Sequence, residues 1–526
     1  MLGLKDKKNP TGSRLAMNTF SNFLGQAIVM LLTFFSTPYI TRKMGSVQYG
    51  ALSLLMVYLF SFSIVNLGIN TSLVKYLAEL LPKMEYAEIQ HYVSTALTAL
   101  LAAGMVAGIA VFLAATPLVH YLFKDTAELT GKAVLALRIA SIAFVLQFVI
   151  QVVSSVCIAA QKFAIVNSVR VASEVLRIGG TIAILAAGGS LPALLAWVMF
   201  TSIFLCIAYA LAAKRIVPQL DFRPRFSRRH LHALLHHSKY VVITNVSNQI
   251  AGSADNVIIG AFLPVANQAY YGIAYTLAQR FWVLVANVSS VVFPAASAFS
   301  ANARPDQVRE LYLRGTKIAA AAACFPALAL CLFSRQFLLY WLGAEYADHG
   351  SVVLSLLVLA FMVNAFSLVA YQVLQSTHYV STAARASLVY MIMNVAMFVA
   401  FIPKFGLPGA SAGFLAAQLL FVPWFVLKAN RILQVSWRQL ISGAYLRVFL
   451  ISLGACGISW LFHPWVHSLF TLALAVTVGL CCYALLSYVL VLDETERTAC
   501  RLLLHRGASA LDVGRAAISR AAAIDS

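Results

Sequence analysis

Residues 191–213 read LPALLAWVMFTSIFLCIAYALAA, an apolar run without a charged side chain. A helix of this length crosses the roughly 30 Å of hydrocarbon in a bilayer. Similar runs recur along nearly the whole chain, and we count about fourteen membrane spans. The predicted spans are 18–40, 48–71, 91–115, 133–156, 171–189, 191–213, 239–261, 268–297, 316–334, 351–374, 386–403, 407–429, 444–462 and 467–492.

The composition of the chain indicates that its solvent is lipid. Of 526 residues, 61% are hydrophobic and 11% are charged, and the mean hydropathy is +0.84. A soluble protein of this length could not bury so much apolar surface. We therefore predict an all-α polytopic membrane protein. The first span lacks a small-residue cleavage site and continues into a second span, so we expect a retained helix and not a signal peptide.

The basic residues predict the orientation in the membrane. The net charge is +20, from 38 Lys and Arg against 18 Asp and Glu. If the N-terminus is cytoplasmic, most basic residues fall in cytoplasmic segments, which is the distribution that membrane insertion favours. We therefore expect both termini in the cytoplasm and contacts with anionic lipids, and no nucleic-acid partner.

The spacing of the spans predicts five regions. A basic stretch at 214–238 separates two sets of six spans and includes an amphipathic segment. Its four histidines, at 230, 232, 236 and 237, have no Cys or acidic companion, which favours a helix near lipid headgroups over a metal site. We predict neither metal nor cofactor. The regions are an N-terminal six-helix lobe (1–213), a basic cytoplasmic linker (214–238), a C-terminal six-helix lobe (239–429), two additional helices (430–492) and a basic cytoplasmic tail (493–526).

The two lobes have the pattern of a repeat. An offset of 222 residues places Tyr49-Gly50 over Tyr271-Gly272 and Gln26 over Asn248. Repeats of this kind are typical of transporters, whose substrate sites lie between the repeats.

Polar residues at membrane depth are costly and indicate a partner or a hydrated cavity. In span seven, Asn245, Asn248, Gln249 and Asp255 follow helical spacing and share one face. Such a stripe is either hydrogen-bonded packing between helices or a cavity wall, and an ionised carboxylate favours the wall. Amides and phenols in other spans could bind sugar hydroxyls and ring faces. The predicted cavity residues are Asn22, Gln26, Asn66, Gln147, Gln151, Asn245, Asn248, Gln249, Asp255, Tyr275, Gln279 and Asn364.

Four ionisable residues within the spans have candidate roles. Arg177 and Arg280 could contact a phosphate, because a guanidinium fork matches phosphate oxygens. Glu174 and Asp255 are candidates for proton or sodium coupling. The alternative for Glu174 and Arg177 is a self-neutralising pair, since they are three residues apart on a helix.

The chain has no sign of covalent catalysis, and we predict no catalytic residue and no enzyme. It contains no P-loop and no HExxH helix, and the GASAG stretch at 409–413 lies within a predicted membrane span and not at the strand-to-helix turn of a nucleophile elbow. The longest predicted external loops, near 116–132 and 335–350, are short and carry few acids.

Two stretches resemble a known family. Residues 18–79, NTFSNFLGQAIVMLLTFFSTPYITRKMGSVQYGALSLLMVYLFSFSIVNLGINTSLVKYLAE, are similar to the start of Wzx-like O-antigen flippases. These form the polysaccharide-transporter branch of the multidrug/oligosaccharidyl-lipid/polysaccharide exporter superfamily. Residues 253–281, SADNVIIGAFLPVANQAYYGIAYTLAQRF, resemble the start of that family's second lobe. The resemblance covers roughly 15–435, and by motif position only Asp255 is carried over.

The resemblance implies two six-helix bundles in a V around a central cavity, with two extra C-terminal helices. It implies a flippase that moves undecaprenyl-diphosphate-linked oligosaccharide from the cytoplasmic to the periplasmic leaflet of the bacterial inner membrane, for O-antigen, capsule or exopolysaccharide synthesis. Membrane lipids, a proton or sodium gradient and the polysaccharide polymerase or export machinery are the partners it suggests.

Several alternatives stay open at this point. A cation-coupled drug exporter would line its cavity with acids and aromatic rings. A lipid II flippase typically has basic residues in its first two spans, whereas Arg42 and Lys43 occupy the predicted external turn. A membrane glycosyltransferase or O-antigen ligase would favour longer external loops. The remaining alternative is a structural role in a polysaccharide-export complex.

Overall fold

A computed structural model of the protein describes residues 10–61, 69–123, 127–236, 239–290, 292–302, 304–494 and 496–498. Side chains are described for these residues except 10–23, 58–61, 127–128, 236, 239–241 and 301. Every extended regular element in this part of the chain is a helix, and 10 helices are long and apolar enough to cross a membrane. The predicted all-α polytopic fold class is therefore confirmed.

The N-terminal half begins with a helix that carries two predicted spans. Its backbone leaves helical geometry at Gly45, where φ is 71° and ψ is 167°. This left-handed φ favours glycine, so the external turn predicted between the first two spans is a sharp break inside one long element. The helices are α1 (Pro10–Ser61), α2 (Ile69–Leu80), α3 (Tyr86–Leu122), α4 (Ala127–Ala159), α5 (Phe163–Ala186), α6 (Leu191–Ile216) and α7 (Arg228–His236).

The C-terminal half contains the remaining helices. They are α8 (Lys239–Ala251), α9 (Ala254–Phe262), α10 (Val265–Ser290), α11 (Val292–Ala301), α12 (Pro305–Leu332), α13 (Ser334–Trp341), α14 (Ala344–Ser376), α15 (Val380–Leu433), α16 (Trp437–Leu440), α17 (Leu446–Leu461) and α18 (Leu469–Leu490). Two predicted spans lie within α15, on either side of a break at Gly406. The predicted span 239–261 is divided between α8 and α9. Within the described residues, each predicted span thus coincides with helical segments of the structure.

Two large clusters of buried apolar residues form the cores. One is built mainly from α1 to α6, and the other mainly from α9 to α17. Tyr49 packs against both clusters. Helices α17 and α18 add a smaller contact with α12, where Phe325 stacks on Tyr483 with ring centroids 5.1 Å apart. The interior of the protein is therefore divided between two halves.

The segment between the two halves is bound to the N-terminal end of α3, which we predict to face the cytoplasm. Gln90 donates to the carbonyl oxygen of Asp221 at 2.5 Å and accepts from its backbone N–H at 2.8 Å. His230 Nε2 lies 2.9 Å from Glu88 Oε2, and the His230 ring is buried. One histidine of the predicted surface helix is therefore part of the packing between α7 and α3.

The two halves approach each other closely where α1 crosses α10. A Cβ atom at position 50 would overlap the carbonyl oxygen of Val265, and one at position 272 would lie 2.8 Å from Ser53 Oγ. Gly50 and Gly272 are the two glycines that the 222-residue offset aligned. Each allows its own half to approach the other half at this crossing, because glycine has no side chain to separate the helices.

We expect Gly50→Ala to destabilise the folded protein. The added methyl group must displace α10 at Val265, and overpacking of this kind costs about 1–3 kcal/mol. Thermal unfolding in detergent would measure the change. Gly457→Ala is the matched control, since a Cβ there meets no atom within 4 Å. Equal unfolding midpoints for the two variants would contradict the proposed tight crossing.

A buried lysine attaches the end of α18 to α12. Lys317 Nζ lies 3.0 Å from Asp493 Oδ2 and 2.7 Å from Glu496 Oε2, and only 7% of Lys317 is exposed. The hydrogen bond from Lys317 holds the pKa of the Asp493 carboxyl below its usual value. Two carboxylates thus compensate the desolvation of one ammonium group.

We expect Lys317→Met to lower the free energy of unfolding by about 3 kcal/mol at pH 7, because Glu496 would be left without its charge partner. Because the pKa of Asp493 is depressed in the folded state, its contribution is present above its unfolded value of about 4 and is lost as the pH falls through the folded value. The difference from wild type should therefore shrink in acid. Denaturation at several pH values measures this, with the exposed Lys404→Met as control. A loss no larger than that of the control would contradict the contact.

Candidate functional site

A cavity of about 610 Å³, here called the central chamber, lies between the two halves. Its walls come from both segments of α1, from α5 and α6, and from α8 to α10. Its polar lining residues are Thr33, Ser36, Thr37, Tyr49, Ser53, Arg177, Thr181, Gln249, Ser253, Asn256, Tyr275, Thr276, Gln279 and Arg280. The lining therefore combines hydroxyl and amide groups with two guanidinium groups.

The central chamber has a basic lining. Arg177 and Arg280 both line it, and no Asp or Glu is among its described lining residues. Arg177 donates from Nε and Nη2 to the two carboxylate oxygens of Glu174, with the Nε contact at 2.9 Å and the Nη2 contact at 2.5 Å. Arg280 makes no direct hydrogen bond or ion pair in the described part of the chain, and it interacts with the Glu174 carboxylate only at longer range. The chamber thus presents one arginine held by a neighbour and one available to a ligand.

A second cavity of about 330 Å³, here called the aromatic chamber, adjoins the first. The two chambers share Gly252, Tyr275 and Gln279 as wall residues. Its other described lining residues come from α8, α10, α14 and α15, and are Asn248, Trp282, Ala286, Phe361, Asn364, Ser367, Leu368, Tyr371, Gln372, Ser387, Tyr390, Phe421 and Phe425. It is therefore a feature of the C-terminal half, reached past Tyr275 and Gln279.

Asp255 lies outside both chambers, in a buried hydrogen-bond network. Its Oδ1 accepts from Asn256 N at 2.7 Å and from Asn256 Nδ2 at 2.8 Å, and its Oδ2 accepts from Tyr271 at 2.6 Å. Only 1% of Asp255 is exposed. Gln268 donates to Asn256 Oδ1, while Gln268 Oε1 is buried with no partner in the described part of the chain.

The stripe of polar residues that contains Asp255 is interrupted by a break between α8 and α9. The stripe of polar residues was predicted on one continuous helix, but α8 ends at Ala251 and α9 begins at Ala254. Gln249 and Asn256 lie on the central chamber and Asn248 lies on the aromatic chamber, while Asp255 is buried in the protein. Broken helices at membrane depth are tolerated where they line a cavity.

The remaining predicted cavity residues are dispersed. Gln279 and Tyr275 lie on both chambers, and Asn364 lies on the aromatic chamber. Gln26 accepts a hydrogen bond from Asn287 of the other half at 3.0 Å. Gln147 donates to Ser202 within the N-terminal half, and Gln151 accepts from Ser155 through its backbone carbonyl. Asn245 is exposed, and the side chains of Asn22 and Asn66 lie outside the described residues.

Several lining residues were not predicted from the sequence. The hydroxyl groups of Ser36, Thr37 and Thr181 line the central chamber, and the rings of Trp282, Phe361, Tyr390 and Phe421 line the aromatic chamber. A cluster of hydroxyl residues at 33, 36 and 37 is visible in the sequence and was a usable signal. Aromatic residues in an apolar span carry no such signal, because lipid-facing positions also favour them. Within the described residues, no group of three His, Cys, Asp or Glu side chains could hold a metal ion.

The fold and the site together define a multi-pass helical membrane protein with a basic cavity between two halves. The polysaccharide biosynthesis protein family matches residues 39–351, which is more than half of the chain, and the chain belongs to that family. This confirms the resemblance noted in the sequence. Among sequence relatives, a Shigella flexneri protein named as an O-antigen transporter is 19% identical over 75% of this chain and 92% of its own length.

A second sequence relative and a solved structure also match the chain. A Haloferax volcanii protein named as a low-salt glycan biosynthesis flippase is 23% identical over 55% of this chain and 59% of its own length. Among solved structures, the lipid II flippase MurJ in an inward closed conformation superposes with a TM-score of 0.73. The superposition covers 90% of this chain and 98% of that chain at 15% identity, so it establishes a shared fold.

We expect Tyr271→Phe to lower the free energy of unfolding by about 1–3 kcal/mol, because it leaves a buried carboxylate oxygen of Asp255 without its donor. Denaturation in detergent at neutral pH would measure the loss. The exposed Tyr379→Phe serves as control. In the double variant with Asp255→Asn the two losses should not add, since both remove the same contact. Additive losses would show that the two side chains act independently.

Proposed function

We propose that the protein is a flippase for undecaprenyl-diphosphate-linked oligosaccharide, moving it from the cytoplasmic to the periplasmic leaflet. The glycan would serve O-antigen, capsule or exopolysaccharide synthesis. A sugar diphosphate cannot cross hydrocarbon unaided, because burying its charges and hydroxyl groups is too costly. A hydrated cavity between two halves removes that cost for the head group, while the polyprenyl tail stays in lipid.

The charge of the central chamber carries this proposal. Arg177 and Arg280 face a space without a lining carboxylate among the described residues, so the chamber favours an anionic ligand. We assign both arginines to the diphosphate. The amide and hydroxyl groups around them suit the polar remainder of the head group. An exporter of cationic drugs would need the opposite charge.

The α1–α10 crossing supports a mechanism of alternating access. With both termini in the cytoplasm, Gly50 and Val265 lie toward the periplasmic side, so this contact closes the central chamber to the periplasm. Rocking of a lobe at 1–213 against a lobe at 239–429, joined by the linker at 214–238, would open that side and close the other. In the same orientation, the hydrogen bond between the amides of Gln26 and Asn287 would lie on the cytoplasmic side of the crossing.

A third cavity offers a place for the polyprenyl tail. It measures about 580 Å³ and is lined by α1, α12, α13 and α18, including Phe34, Phe337 and Phe470. The Trp341 indole N–H donates to the Phe34 carbonyl at 3.1 Å, and the two rings stack with centroids 5.0 Å apart. We propose that the tail lies in this apolar groove, which would give α18, one of the two additional helices at 430–492, a role.

The cycle needs a source of energy and partners. We propose a proton or sodium gradient acting through Asp255, which is buried in the half that contains the aromatic chamber. Glu174 is the second candidate, although its pairing with Arg177 gives it a structural role as well. The setting is the bacterial inner membrane, where a polysaccharide polymerase or export complex would use the product.

Purified protein in liposomes tests the proposal. The substrate is undecaprenyl-diphosphate oligosaccharide with a fluorophore on the glycan, and a membrane-impermeant reductant reports the outer-leaflet fraction. We expect wild type to accelerate translocation and Arg280→Gln to slow it about tenfold, because a charge-assisted hydrogen bond contributes about 1.5–3 kcal/mol. Arg335→Gln is the control, since Arg335 pairs with Asp348 on the surface.

Two outcomes would contradict the proposal. One is a wild-type protein that does not accelerate translocation under an imposed proton or sodium gradient. The other is Arg280→Gln at the rate of Arg335→Gln. A change in the mass of the glycan during the assay would instead identify a transferase or ligase.

A further inference from the structure

We infer that the aromatic chamber is a subsite for the uncharged sugar attached directly to the diphosphate. This inference rests on the proposed function, because it assumes that the central chamber holds a lipid diphosphate. It adds a division of the head group between two compartments of different chemistry. The basic compartment lies between the halves, and the aromatic one lies inside the C-terminal half.

The first argument is the chemistry of the chamber wall. Rings of Trp282, Tyr390 and Phe421 stand beside the amides of Asn248 and Gln279, and none of the described lining residues carries a charge. The C–H groups of a sugar ring carry partial positive charge and suit the negative face of an aromatic ring, whereas its hydroxyl groups need amide partners. An uncharged wall does not compensate the carboxylate of an acidic sugar.

The second argument is that the wall is held in place by its own hydrogen bonds. Trp282 Nε1 donates to Asn364 Oδ1 at 2.9 Å, and Asn364 Nδ2 donates to Gln418 Oε1 at 2.9 Å. Gln418 Nε2 donates to the Tyr390 hydroxyl at 3.3 Å. This chain crosses three helices and fixes the orientation of two rings. A binding surface that is ordered before the ligand arrives loses less entropy on binding.

The third argument is that the aromatic chamber has open space and side-chain amides without hydrogen-bond partners in the described part of the chain. Ordinary helix packing would fill the gap between these rings, yet about 330 Å³ is open, which is within the size range of small-molecule pockets. The side-chain amides of Asn248 and Gln279 are exposed and have no hydrogen-bond partner among the described residues. They can therefore bind hydroxyl or acetamido groups without breaking an existing contact.

The fourth argument is the order of the two chambers. Tyr275 and Gln279 belong to both walls. A diphosphate held by Arg177 and Arg280 thus places the next group of the ligand at the shared wall. That group is the first sugar.

Binding of two probes tests the inference. The probes are undecaprenyl diphosphate carrying one N-acetylglucosamine and undecaprenyl diphosphate without sugar, measured by native mass spectrometry in detergent. We expect Trp282→Ala to weaken the sugar-bearing probe about tenfold and the sugar-free probe less than about twofold, since only the former contacts the ring. Trp282→Phe, which keeps a ring, should restore part of the affinity. Trp460→Ala is the control, because Trp460 is 57% exposed and lies on α17.

The outcomes separate this inference from the function on which it rests. If Trp282→Ala lowers the affinity of both probes equally, or of neither, the sugar subsite is overturned. In that case, binding of both probes to wild type would still support the diphosphate carrier. Failure of wild type to bind either probe would overturn both. A third probe with glucuronic acid tests the uncharged wall, since affinity equal to that of the N-acetylglucosamine probe would overturn the preference for an uncharged sugar.

Discussion

The approach of α1 to α10 at Gly50 is the contact on which the rest of the structure depends. It brings two halves, each with its own apolar core, close enough to enclose a chamber. Gly272 has the same function on the other helix. A bulky residue at either position would hold the helices apart and widen the chamber at this end. The Tyr-Gly pairs that the predicted repeat aligns therefore lie at the place where the halves meet.

The polar groups at membrane depth fall into two classes with different physical consequences. Glu174, Asp255 and Lys317 have partners within the protein, which reduces the cost of removing charge from water. Arg280, Asn248 and Gln279 face open cavity instead. A charge without a partner inside a membrane protein is costly unless water or a ligand solvates it. These cavity-facing residues therefore indicate the chemistry of the ligand that the cavity can bind.

Much of the fold could be predicted from hydropathy alone, because the thickness of the bilayer constrains the length of every apolar helix. Breaks inside helices could not, and the turn at Gly252–Ser253 shows why this matters. It interrupts the stripe that helical spacing had placed on one face, and Gln249 lies on the central chamber whereas Asp255 is buried. Arg177 and Arg280 do meet in one chamber, although 102 intervening residues separate them in the chain. Trp282 could not be distinguished from the lipid-facing Trp460, since both stand in apolar segments.

The apolar groove has walls from both halves: Phe34 and Phe35 lie on α1, whereas its other walls come from α12, α13 and α18. The ion pairs of Lys317 join the end of α18 to α12, so these two helices form one wall of the groove, opposite α1. A hydrocarbon chain in the groove would contact both this wall and α1. Movement of the halves would then change the contacts between the tail and the groove. The free energy of the conformational change would therefore depend on the length of the tail as well as on the chemistry of the head group. The lipid would thus act as part of the hinge as well as cargo.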